Sequence, residues 1–85
     1  MSITDATKKI IGENVRRLRV QSGKNVEELA GTAGVARGYW YEVERAATNP
    51  TVEMLELIAR ALKVSVRDLL EDPDGDTKSK RRKAS

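Results

Sequence analysis

Cysteine, histidine and phenylalanine are absent from this 85-residue sequence, and proline appears only twice. Without cysteine there is no disulfide framework and no thiolate metal site. Without histidine the commonest general base and the commonest metal ligand are both missing. No Gly-rich phosphate cradle and no carboxylate pair beside a pocket can be picked out. An enzyme is therefore not expected, nor a cofactor, a metal or a small-molecule ligand. No apolar run approaches the roughly 20 residues that span a bilayer, and the N-terminus has no signal-peptide apolar region. These absences lead to the expectation of a soluble cytoplasmic protein with no membrane partner. Aromatic residues are also scarce, and all three are adjacent: Tyr39, Trp40 and Tyr41. Neighbours on a helix are about 100° apart, so three in a row cannot all face one core.

What remains is a chain sized for one small domain. Its net charge is +3, unevenly spread. Residues 1–70 hold 11 Lys/Arg and 9 Asp/Glu; residues 71–76 contribute −4, and residues 77–85 contribute +5. A balanced body followed by an acidic hinge and a basic run predicts a folded domain over 1–72 and a flexible, disordered basic tail over 73–85. Pro73 and Gly75 favour a break there. Two readings of the tail stand side by side, contact with nucleic acid and simple solubility.

The body reads as all-α, because apolar residues recur at helical spacing and no strand-like alternation appears. A first helix is predicted over about 5–21, with Ile11, Val15 and Leu18 as its stripe, Thr4 or Asp5 as cap and Gly23 as its left-handed end. Asn25 with Glu28 has the form of a capping box and starts a short second helix over about 26–32. Gly34 permits a tight turn with positive φ. A third helix follows Val35 and runs to about Arg45. Pro50 breaks the chain and Thr51 caps a fourth helix, Val52 to Leu62, with Val52, Leu55, Ile58, Ala59 and Leu62 on its inner face. Ser65 with Asp68 starts a last helix over about 66–70. Short helix, glycine turn, second helix over 26–45 is the spacing of a helix-turn-helix, although a small bundle with a tight corner has the same outline.

The stretch IGENVRRLRVQSGKNVEELAGTAGVARGYWYEVERAATNPTVEMLELIARALKVSVRDLLED resembles the phage repressor and Cro-like (xenobiotic-response-element type) helix-turn-helix family over about 11–72. RRLRVQSG is similar to the end of that family's first helix, EELAGTAGV to its positioning helix and turn, and NPTVEMLELIARALKVSVRDLL to its last two helices. The resemblance implies a compact five-helix, lambda-repressor-like domain that binds double-stranded DNA as a weak homodimer, with the second helix across the backbone and the third in the major groove. It further implies base contacts from Arg37, Gly38 and Glu42. Phosphate contacts would come from Asn25 and Val26 at the start of helix 2, and from Arg45 and Asn49 beyond helix 3. Arg19 and Glu44 match the family's structural ion pair. The sequence departs from the pattern at Val26, where an amide donor is common; at Ala36, which cannot cap; at Ala46, where glycine is common; and at Glu42, where a basic or amide residue is usual.

The aromatic run then divides. Trp40 falls on the family's buried position and shares a face with Val43. Tyr39 and Tyr41 lie to either side, placed to meet a duplex backbone or to widen the cover of the core. Arg37 is suited to bidentate recognition of guanine, or to a phosphate alone; Glu42 to cytosine N4, or to a neighbouring cation. Val64, Val66 and Leu69 offer apolar surface for dimerisation. The expected function is a sequence-specific transcriptional regulator, a repressor. The alternative is a protein-interaction module on the same fold, an antitoxin or accessory subunit without base readout.

Overall fold

The computed structural model describes residues 3–72, so the expectation for the tail at 73–85 lies outside the described residues. Within the described residues five helices follow one another: α1 (Asp5–Ser22), α2 (Val26–Ala33), α3 (Arg37–Glu44), α4 (Val52–Leu62) and α5 (Val66–Leu70). Each matches a predicted helix to within two residues, and the local chemistry explains why. The Thr4 hydroxyl accepts from the Thr7 amide, and Thr51 does the same for Met54. Asn25/Glu28 and Ser65/Asp68 both close as reciprocal capping boxes. Gly23 and Gly34 end α1 and α2 at φ 75° and 78°, where glycine has no Cβ penalty. α3 alone lacks a side-chain N-cap, because Ala36 has no acceptor to offer.

The core is built from all five helices, with Ile11, Val15, Leu29, Trp40, Ile58 and Leu69 at its centre. α1 is the spine. α3 packs on one side of it and α5 on the other, while α2 packs on both α3 and α4. Gly12 faces α3 and Asn14 faces α5. These residues are two apart, which is about 200° around a helix, so the two neighbours clamp α1 from nearly opposite directions. Asn14 is fully buried and satisfied. Its amide donates to the carbonyls of Leu69 (2.9 Å) and Glu71 (2.7 Å), and its oxygen accepts from Arg17 (2.9 Å). This side chain, 55 residues distant in sequence, supplies the partners that the end of α5 cannot find within its own helix.

Two packing expectations are corrected. Val52 is not on the inner face of α4; it is 67% exposed. As the first residue of the helix, it lies beyond the edge of the core that Leu55 and Ile58 reach. Leu69 is fully buried and offers nothing to a partner. It fills the space between α5 and α1, leaving Val64 and Val66 partly covered and Leu70 exposed.

Candidate nucleic-acid interface

The inner side of α3 is set by Trp40 and Val43, which are 0% and 1% exposed. Tyr39 packs half-buried at one flank of that side. Burial raises the pKa of its phenol above the ordinary value, with a smaller push from the Glu42 carboxylate. Arg37, Gly38, Tyr41, Glu42 and Arg45 are all exposed. At about 100° per residue these five fill one continuous arc of roughly 140°. Tyr39, Trp40, Val43 and Glu44 fill the opposite arc. The helix therefore has one anchored side and one open side, and the open side carries two guanidiniums, a phenol, a carboxylate and a glycine. A Cβ placed on Gly38 would meet nothing within 4 Å, so no close contact inside the domain requires a glycine there.

The anchored side includes a polar lock. The Arg19 guanidinium donates twice to the Glu44 carboxylate, Nε to Oε2 at 2.6 Å and Nη2 to Oε1 at 3.0 Å. The Trp40 indole N–H donates to the same Oε2 at 2.9 Å. The Glu44 side chain is only 7% exposed and that of Arg19 20%. Three donors on one largely buried carboxylate fix its orientation. The bonded carboxylate raises the pKa of Arg19 further above its already high value, against the opposing effect of partial burial. The family resemblance implies the Arg19–Glu44 pair but not the indole bond, since a Trp–Glu spacing of four carries no signal by itself.

The remaining candidates lie outside α3. Asn25 is exposed at the start of α2. Its oxygen is held in the capping box, which leaves its amide N–H groups to donate outward. The Val26 side chain is 2% exposed and belongs to the core, so its main-chain N–H at the helix start is what can face a phosphate. Asn49 is exposed beyond α3, and its oxygen accepts from the Ile3 amide at 3.2 Å. Arg45, the C-cap of α3, stands in the open. Sequence reading also missed Gly12, although a glycine inside an amphipathic helix is itself a sign of close backbone approach. Among the described residues no group of three or more Asp/Glu is placed to hold a metal ion, and no helix is long and apolar enough to cross a membrane.

Two helices at a tight glycine corner, the second with one face locked inward and one face open, is an arrangement shared with known proteins. The family described as "Helix-turn-helix domain" matches residues 10–72. The chain belongs to this family. Among curated relatives, the HTH-type transcriptional regulator SinR of Bacillus licheniformis is 39% identical over 66 residues, covering 76% of this chain. This helix-turn-helix chain spans only 60% of that relative's length. Among solved structures, a hypothetical transcription factor, NHTF, from Neisseria superposes with a TM-score of 0.80 at 31% identity, covering 93% of this chain and 92% of its own. The biofilm regulator SinR, crystallised in complex with DNA, superposes with a TM-score of 0.67 at 40% identity, covering 72% of this chain and 98% of its own.

Proposed function

We propose that this chain is a sequence-specific, double-stranded-DNA-binding transcriptional regulator that represses by occupying its site. The observation that carries the reading is the open arc of α3. Arg37, Gly38, Tyr41, Glu42 and Arg45 share one face of a helix whose other face is fixed by Trp40 and Glu44. A helix of this diameter fits the major groove, where each base pair presents its own pattern of donors and acceptors. Arg37, at the N-terminal end, takes the role of base reader, its fork matched to guanine O6 and N7. Glu42 accepts from cytosine N4. Gly38 lets the helix approach closely. Arg45, Asn49, the Asn25 amide and the first-turn N–H groups of α2 hold phosphates on either side. Tyr41 supplies a hydroxyl and a ring edge at the rim of the groove. The likeness to SinR, a relative solved with DNA, supports the same reading.

The chain acts as a weak homodimer, so that two copies of α3 meet successive turns of one face of the duplex. The docking surface comprises Val64, Val66 and Leu70, without Leu69. Its small apolar area makes the dimer weak in free solution. A cytoplasmic location follows from a DNA partner.

Selection from random duplexes tests the function. The parent should enrich a defined motif. Arg37→Ala should relax the preference at one G·C pair by about 1–3 kcal/mol, and Arg45→Ala should weaken all sites alike. No enriched motif from the parent would refute base reading. That outcome would favour the second reading, a protein-interaction module, for which the acidic Glu42 on the open face and the uncapped start of α3 are the supporting observations.

A further inference from the structure

We infer that Gly12, a residue of α1 that cannot touch DNA, is the positioning residue that sets the angle at which α3 meets its target. The inference rests on the base-reading role proposed for α3. Gly12 is buried in the middle of an 18-residue helix, where glycine is less favourable than alanine. The end of α3 occupies the space that a side chain would need. A Cβ on Gly12 would lie 2.6 Å from the Glu44 carbonyl oxygen and 2.7 Å from that of Val43. Both are backbone atoms, so no rotamer change relieves the overlap. α1 cannot retreat either, because α5 backs it on the far side through Leu69 and the two Asn14 hydrogen bonds. The end of α3 must move.

It would move as a lever. Trp40 is fully buried and fixes the middle of α3. Restoring ordinary contact, which begins near 3.4 Å, displaces the Glu44 end by about 0.8 Å. Glu44 lies four residues beyond Trp40, about 6 Å along the axis, so the helix tilts by roughly 8°. Arg37 lies three residues before the pivot and swings the opposite way by about 0.6 Å. A site that must hold its groups within about 0.5 Å cannot absorb that shift at a bidentate contact. Phosphate contacts from α2 and from flexible side chains tolerate it. Gly12 thus acts on the selectivity of the complex rather than on its bulk attraction to DNA.

The test is Gly12→Ala in a background carrying Gly31→Ala and Lys63→Gly. Gly31 is exposed in α2 with nothing within 4 Å of its Cβ position, and Lys63 has a φ of 62° that glycine adopts without strain, so both changes favour folding. Binding is measured to the duplex enriched by the parent and to unselected library duplex, at a temperature where every protein is folded by circular dichroism. The expected result is a loss of about tenfold in the ratio of selected to unselected affinity, with affinity for unselected duplex within about twofold and its salt dependence unchanged. A background protein that shows no preference at all would refute the base-reading role itself. A preference that survives Gly12→Ala intact, or falls only in step with unselected affinity, would refute the positioning role alone. Failure of Gly12→Ala to fold even in this background would also overturn it, by making Gly12 a residue of folding and nothing more.

Discussion

Replacing Glu44 tests how α3 is held. Its carboxylate receives three hydrogen bonds, two from Arg19 and one from the Trp40 indole, in a setting where its side chain is only 7% exposed. Breaking a buried ion pair by removing one partner costs about 3–5 kcal/mol. Arg19 retains 20% exposure and can turn partly to water, so its share here falls to about 1–2 kcal/mol. The indole N–H has no such escape, since Trp40 is fully buried, and an unsatisfied buried donor costs about 1–3 kcal/mol. Glu44→Ala should therefore destabilise by about 2–5 kcal/mol. In a domain of this size each kcal/mol lowers Tm by about 4–8 °C, so the variant should melt roughly 8–40 °C below the parent. Glu44→Gln keeps an acceptor for the indole and loses the charge, and should fall between the two. A double variant, Arg19→Met with Glu44→Met, should recover part of the loss, because it leaves no charge stranded. Thermal melts followed by circular dichroism provide the assay. A Glu44→Ala variant melting within about 5 °C of the parent would refute the lock.

Two further substitutions act through backbone and protonation. Ala46 and Lys63 sit at φ 59° and 62°, where a side chain costs about 1–2 kcal/mol, so Ala46→Gly and Lys63→Gly should each raise stability by about 0.5–1 kcal/mol in urea titrations after the entropy of a freer unfolded chain is counted. A loss of stability on Ala46→Gly would show that the turn after α3 is not strained. The raised pKa of Tyr39 means that the folded state favours the neutral phenol; its contribution is complete below about pH 10 and is lost as pH rises through the raised folded value. Tyr39→Phe should therefore lose less stability than the parent between pH 9 and pH 11, and equal losses would remove Tyr39 from the alkaline response.

The helices and their ends were readable because their determinants are local. Asn25 and Glu28, or Ser65 and Asp68, are three residues apart and close on each other whatever the rest of the chain does. The same holds for Gly23 and Gly34 at positive φ. The inward placement of Trp40 was implied by the family resemblance, and the three-residue spacing to Val43 put the two on one face. What escaped depends on residues far apart in sequence. Gly12 meets carbonyls more than 30 residues away, and Asn14 caps a helix end 55 and 57 residues away. No spacing rule reaches such pairs. Val52 and Leu69 were misassigned for a related reason. Both are apolar residues at helix starts or short helices, where periodicity over two turns cannot separate an inner from an outer face.

The open face of α3 was legible, yet α3 itself has the weakest local support of any long segment in the domain. It has no side-chain cap, carries a glycine at its second position, and is followed by an alanine forced into left-handed geometry. Eight residues with those features would not hold a helix alone in water. Its order therefore comes from tertiary contacts on one side only: the buried Trp40 and Val43, the Glu44 carboxylate with its three donors, and the close seat on Gly12. Local rules fail where the surroundings over-determine the answer, which is a mark of functional segments. The division has a consequence for change. Because all the anchoring lies on the inner arc, Arg37, Gly38, Tyr41, Glu42 and Arg45 can be exchanged without touching what keeps the helix in place. In the proposed function, the recognised DNA sequence is then free to vary while the fold is not.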